Sequence, residues 1–403
     1  MGGNSGAGTG GGGGSAGTSG PGSGGAGAGG GGGGAGLFAG AGTYSFDPAI
    51  GAIRIGDLNG DGRPDIAAIS GCGSSGQPGE LVVLLNQGAG TFAPATKYPA
   101  GPTPAALDIG DVNGDGKADV AVLNRGLDCG GAPALTEDVT LLLNAGGGTF
   151  DAPTHVSVGK VPWNIALGDL NGDGRADLAV ANHGTGTELE LRDSGVSVLL
   201  ATAGGGFGAP TKYAAGVGPT AVRIADLDSA GGADLIVANY GYSGIGAPEG
   251  TSSVSVLLGN AGGGFAAMNN LTAVPGCADI AFVDFDEDRD LDMVVMNYAG
   301  LQSIRNEGGG VFTAATANFA PFLDSGSVAI ADFDGDNHQD VAVGGYSGAF
   351  LLGGNGNGTF RPQVTLPTSA DPSGVMTADF DGDGKPDLVV LNKAGLQVLL
   401  NRR

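Results

Sequence analysis

The sequence predicts an all-β chain: a seven-bladed β-propeller with cation-binding loops between strands 1 and 2 of the blades, its ring closed by the N-terminal strand. Three observations lead there. A nine-residue acidic segment, Asp57-Leu58-Asn59-Gly60-Asp61-Gly62-Arg63-Pro64-Asp65 in its first copy, recurs at 111, 169, 226, 284, 332 and 379, 47 to 58 residues apart. Each copy leads into a short apolar run bounded by glycine, such as Val120-Ala121-Val122-Leu123 or Leu388-Val389-Val390-Leu391, which reads as a buried strand. A further apolar run and a glycine turn close the unit, as in Leu81-Val82-Val83-Leu84-Leu85-Asn86 before Gly88-Ala89-Gly90-Thr91-Phe92. Four short strands per unit at a near-fixed period make a propeller.

Residues 1–36 hold only Gly, Ala, Ser, Thr, Pro, Asn and the initial Met. Such a segment buries too little apolar surface to offset the cost of ordering its backbone, and a flexible tether is expected. The propeller is expected to occupy 37–403. Its last unit stops at Val398-Leu399-Leu400-Asn401-Arg402-Arg403, where a glycine turn is due, and the missing piece stands at the start as Gly40-Ala41-Gly42-Thr43-Tyr44. The N-terminal segment should therefore supply the outer strand of the last blade and cover an exposed sheet edge.

The repeated segment places oxygen side chains at its positions 1, 3, 5 and 9 in a tight loop. A hard cation taking six to eight oxygens at about 2.3–2.6 Å suits that array, and Ca²⁺ is such a cation. An EF-hand shares the opening but needs a Glu at position 12 between two helices. Here position 12 is Ala68, Val122, Val180, Val237, Val295, Val343 and Val390, each within an apolar strand. The loops join strands, and EF-hands are excluded.

The net charge of −24 works against nucleic acid and anionic membrane surfaces, although six bound Ca²⁺ would halve it. No apolar run approaches the roughly 18 residues of a membrane span. The chain opens Met1-Gly2-Gly3, without the basic start and apolar core of a secretory signal. Weak Ca²⁺ loops fill most reliably outside the cell, so an extracellular or cell-surface protein whose export signal has been removed is expected, with 1–36 free to act as a surface tether. Cys72, Cys129 and Cys277 are too few for a disulfide scaffold; a Cys72–Cys129 bridge between adjacent long loops and free thiols both stay open.

These residues resemble the FG-GAP/VCBS repeat family, whose blades also form the head of integrin α chains and several fungal and bacterial lectins. The resemblance covers 37–403 and rests on the Asp-x-Asn-Gly-Asp-Gly-x-x-Asp loop, the Leu-Ala-Val-Ala-Asn strand at 178–182 and the Val-Ser-Val-Leu-Leu run with its Gly-Gly-Gly-Phe turn. It implies calcium, chiefly structural. Carried over by position, the ligands are Asp57, Asn59, Asp61 and Asp65; Asp111, Asn113, Asp115 and Asp119; and Asp169, Asn171, Asp173 and Asp177. Later loops give Asp284, Asp286, Asp288 and Asp292; Asp332, Asp334, Asp336 and Asp340; and Asp379, Asp381, Asp383 and Asp387. In the fourth loop Ala230 replaces a carboxylate between Asp228 and Asp234, so five or six ions are expected. Arg289 and Asn337 hold the sixth position, where glycine is usual.

The resemblance leaves activity open, because the family spans adhesins, lectins, lyases and accessory domains. Hairpin alternation puts the segments between strands 2 and 3 on the face away from the acidic loops. Four of them are long, 71–80, 125–138, 183–195 and 240–253, and loops on a repeat scaffold commonly carry binding. The residues closing strand 2 on that face are Arg125, His183, Tyr240, Tyr298, Tyr346 and Lys393, with Trp163 in a neighbouring loop. Aromatics, amides and cations around a channel mouth suit a sugar, although strand ends packed between blades would look the same. The expected function is a non-catalytic recognition or adhesion module for a glycan or an extracellular protein. One alternative is a polysaccharide lyase using Arg125, His183 and Tyr240; another is a structural surface subunit. His155 and His338 have no evident partner in the sequence, and no zinc, phosphate or nucleophile-elbow motif is present.

Overall fold

The computed structural model describes residues 36–46, 50–71, 78–125, 137–184, 194–241, 252–272, 276–297, 300–313, 326–345, 348–368, 371–393 and 395–403. Helices are absent among them, and seven antiparallel sheets of three or four strands follow one another along the chain, with three two-stranded ribbons beside them. Blade I is Ile50–Gly56, Asp65–Ser70, Gly79–Leu84 and Thr96–Gly101, side by side in that order. Blades II, III, IV and VI repeat this plan from the inner strands Pro104–Gly110, Pro162–Gly168, Pro219–Ala225 and Gly326–Ala331. Blade V starts at Asp279–Val283 and shows three strands among the described residues. The fold is the all-β, seven-bladed propeller that the repeats predict.

Blade VII joins Pro372–Ala378, Asp387–Asn392 and Gly395–Asn401 to Phe38–Tyr44 from the opposite end of the chain. This outer strand runs antiparallel to the third, from Phe38 opposite Asn401 to Tyr44 opposite Leu396. Tyr44 also meets Phe92 of blade I edge to face, and its hydroxyl accepts the Phe92 N–H at 3.1 Å.

The second strand of every blade is buried along its whole length, from Asp65–Ser70 to Asp387–Asn392. Its apolar run is continuous rather than alternating because both of its faces meet a neighbouring blade. The hydrophobic clusters lie accordingly between consecutive blades. Leu81 and Val83 of blade I pack with Leu107 and Val122 of blade II, and Ile53 and Val82 of blade I pack with Val389 and Val398 of blade VII.

Inner strands share an entry device. Thr103, Val161, Gly218 and Asp371 have φ of 47°, 50°, 64° and 56°, and each precedes a proline that opens the strand. The pairing register slips two residues later, as between Pro162 and Asn164. Such bulges bend a strand locally and re-aim its side chains.

Candidate functional sites on the two faces

At one end lie the acidic loops. The first Asp organises each by accepting backbone N–H groups. Asp57 Oδ1 takes those of Gly60 at 2.7 Å and Asp61 at 3.2 Å, and Oδ2 takes that of Gly62 at 2.8 Å. Asp111, Asp169, Asp332 and Asp379 do the same. Burial opposes the charge on Asp57, but these donors outweigh it and hold the group below the ordinary carboxylate value. Positions 4 and 6 have positive φ in every copy. Where glycine is missing, Ser229, Glu287, Arg289 and Asn337 adopt it at 55°, 66°, 80° and 68°. The loop shape therefore survives both the Ala230 change and the four glycine replacements.

The ninth position is a staple. Asp65 is fully buried, with Oδ2 accepting Leu58 N at 3.0 Å and Oδ1 accepting Asn86 N at 2.7 Å, which ties the loop to the end of the third strand. Asp119, Asp177, Asp234, Asp292, Asp340 and Asp387 repeat the pair of bonds. Burial pushes all seven upward, Asp292 and Asp387 to about 6.

The donor set suits a hard cation. Ligand oxygens at 2.3–2.6 Å from one ion can lie at most about 5 Å apart. Carboxylate oxygens from Asp226, Asp228 and Asp234, from Asp284, Asp286 and Asp292, from Asp332, Asp334 and Asp336, and from Asp379, Asp381 and Asp387 all converge within 4.8 Å. Asp286 Oδ1 and Asp334 Oδ1 are buried without a hydrogen-bond donor among the described residues. The position-7 side chains Arg63, Lys117, Arg175 and Lys385 each pair with the position-5 Asp of their own loop.

At the other end the inner strands surround a channel of about 680 Å³. Of the residues expected at its mouth, Arg125 and Trp163 line it. The Arg125 guanidinium lies 3.7 Å from the centre of the Trp163 ring, and the His183 imidazole lies 4.9 Å from it, tilted by 32°. Burial lowers the Arg125 pKa, and its Nε is buried with no acceptor among the described residues. His183 Nδ1 lies 3.0 Å from the Gly184 carbonyl, a contact that needs a proton on Nδ1, and its Nε2 packs against Gly218. Tyr240 and Lys393 are not part of the channel wall: Tyr240 N donates to Gly218 O, and Lys393 pairs with Asp371 at 2.9 Å. Tyr298, Tyr346, Cys72 and Cys129 lie outside the described residues; Cys277 is buried and free. His155 and His338 do find partners, Asp138 at 3.1 Å and Glu287 at 2.5 Å.

The sequence reading missed the channel wall. Arg54 Nε bonds Asp108 Oδ1 at 3.0 Å, and Arg223 bonds both Asp279 and, at 3.0 Å, Asn164 Oδ1. Asp108 also accepts the Leu167 N–H of blade III at 2.8 Å. These side chains tie adjacent blades together around the channel. Their signal was a lone charge within an apolar strand, as in Ile53-Arg54-Ile55 and Leu107-Asp108-Ile109.

Family models bear on these loops and strands directly. One described as an FG-GAP-like repeat matches residues 57–122, 130–180, 284–343 and 332–390. A second, an FG-GAP repeat, matches 161–200. The chain belongs to the FG-GAP repeat family. No curated protein matches this FG-GAP chain. Among solved structures it is similar to an Agrocybe aegerita lectin that recognises non-reducing terminal N-acetylglucosamine, with TM-score 0.55, 20% identity and 87% of each chain covered. It is also similar to BBS1N, solved in complex with ARL6DN, with TM-score 0.56, 11% identity, and 92% of this chain and 98% of that one covered. At these identities both likenesses concern the FG-GAP propeller fold alone.

Proposed function

We propose that this FG-GAP propeller is a non-catalytic recognition module, working outside the cell or at its surface, that reads a glycan at the channel mouth formed by Arg125, Trp163 and His183. One observation carries the reading: a guanidinium stacked on an indole, with its Nε buried and unmatched among the described residues, at the rim of an open channel. A buried donor without an acceptor is costly, and a ligand hydroxyl or carboxylate would satisfy it. Trp163 offers the apolar surface on which sugar C–H faces pack. A propeller of the same fold recognises a terminal sugar, which supports a glycan as ligand. The acidic loops, in this reading, hold Ca²⁺ as a brace.

A glycan array probed with the calcium-loaded protein, beside a chelator-treated control, tests the proposal. A set of related glycans should bind, and Arg125→Ala or Trp163→Ala should weaken them at least about tenfold, equivalent to roughly 1.4 kcal/mol. Silence from protein shown to be folded would end the glycan reading in favour of a protein partner.

A further inference from the structure

We infer that Arg361 is a resident cation of loop VI, occupying the charge position that a divalent ion takes in loops I to III, so that loop VI accepts an ion only when this guanidinium withdraws. The inference rests on the proposal that the acidic loops bind cations. It starts from a difference in charge. Loops I to III carry an amide at position 3, Asn59, Asn113 and Asn171, whereas loop VI carries Asp334 and so gathers four carboxylates. Arg361 Nη1 lies 2.9 Å from Asp334 Oδ2, and Nη2 lies 2.8 Å from Asp336 Oδ2 and 3.6 Å from Asp340 Oδ1. One guanidinium thus touches three of the four expected ligands.

Space has been made for it. Arg361 N donates to Gly353 O, as Ala93 does to Leu85, Asp151 to Leu143, Gly208 to Leu200, Ala266 to Leu258 and Thr313 to Arg305. The arginine therefore stands where five other blades carry Ala, Asp, Gly, Ala and Thr. Its partner Gly353 stands where four of them carry leucine. A Cβ on Gly353 would lie 2.4 Å from Arg361 Nε, so a side chain at 353 would push the guanidinium out of this position. Loop VI has also lost the usual arrangement at position 7. In loops I, II, III and VII a cation there covers the position-5 carboxylate, but in loop VI His338 turns to Glu287 and Arg361 covers Asp336 instead. Blade V shows a partial version, with Arg305 in place of the leucine and its Nε 2.7 Å from Asp286 Oδ2. A divalent ion in loop VI would share Asp334 and Asp336 with a positive charge already bonded to them, and like charges at that separation repel strongly.

Native mass spectrometry of the full chain, stripped with a chelator and titrated with Ca²⁺, counts the ions. Arg361→Met should hold one more ion per chain than the unsubstituted protein at the same free Ca²⁺. Arg361→Met combined with Asp334→Asn, which rebuilds the pattern of loops I to III, should also gain one. Arg361→Lys keeps the charge and should gain none, and it guards against a result caused by misfolding. An unchanged or lower count in folded Arg361→Met, while the unsubstituted protein does bind ions, would overturn the role of Arg361. If the unsubstituted protein binds none at saturating Ca²⁺, the cation reading of the loops falls as well.

Discussion

Asn144 fixes the turn of its own blade with three hydrogen bonds and reaches the preceding blade with a fourth. Its backbone N–H goes to Asp119 Oδ1 at 2.8 Å, and its Nδ2 donates to Leu58 O of blade I at 2.8 Å and to Ala118 O at 2.9 Å. Its Oδ1 accepts Gly146 N at 2.8 Å. Asn86, Asn306 and Asn401 reach the preceding blade in the same way, at Phe380 O, Leu227 O and Phe333 O. The corresponding residues Ala201, Gly259 and Gly354 have no amide to extend. Asn144→Ala strands two buried carbonyls and one N–H, and should cost on the order of 3 kcal/mol. Urea unfolding measures this, with the exposed Thr154→Ala as the reference. A loss within 0.5 kcal/mol of the reference (roughly the scatter of ordinary surface substitutions) would show that the amide is dispensable.

At the scale of elements, the strand Phe38–Tyr44 matters most for its length. It covers the edge of Gly395–Asn401 and buries Leu37 and Phe38 against Phe333, Leu351 and Leu399. Deleting 36–46 leaves a long apolar edge open, and unpaired edges recruit other chains. The truncated protein should melt at clearly lower temperature and aggregate, as read by scanning fluorimetry with light scattering; an unchanged melting temperature would refute the closing role of this strand. Much of this level was legible beforehand. Seven acidic loops at near-constant spacing fixed the blade count, and buried runs such as Leu388-Val389-Val390-Leu391 marked the second strands without ambiguity. The mouth was legible only in part. Arg125 meets Trp163 because strand 2 of one blade ends beside strand 1 of the next, a relation pseudo-symmetry supplies, and His183 meets Trp163 because both stand at the open end of one hairpin. Arg361 was not legible, because its meaning depends on Gly353 eight residues earlier and on a carboxylate contributed by another loop position. Arg54 and Asp108 were missed for a similar reason: their partners stand one blade away in sequence and side by side in space.

For the whole molecule, the governing quantity is the balance of carboxylate charge on one face. Asp292 and Asp387 are pushed up to about 6 by burial, with neighbouring carboxylates adding to the shift and backbone N–H groups opposing it. Their unfolded value is about 3.9. Between those values the folded chain holds protons that the unfolded chain has lost, so this contribution favours the fold at low pH and disappears as pH rises through about 6. Asp57 and Asp169 act in the opposite direction: held below the ordinary value, they contribute stability above it that is lost as pH falls. Those two are already ionised at pH 5, so between pH 5 and 7 the buried staples decide the sign. Ion-free protein should lose stability across that interval. A cation bound as proposed would reverse the balance, since it needs the carboxylates deprotonated and neutralises the repulsion that ionisation creates. Added Ca²⁺ should therefore raise the melting temperature more at pH 7 than at pH 5, by a few degrees at roughly 1 °C per kcal/mol for a chain of this size. Equal or larger gains at pH 5 would mean that the staples stay ionised throughout, and that backbone donors rather than burial control them.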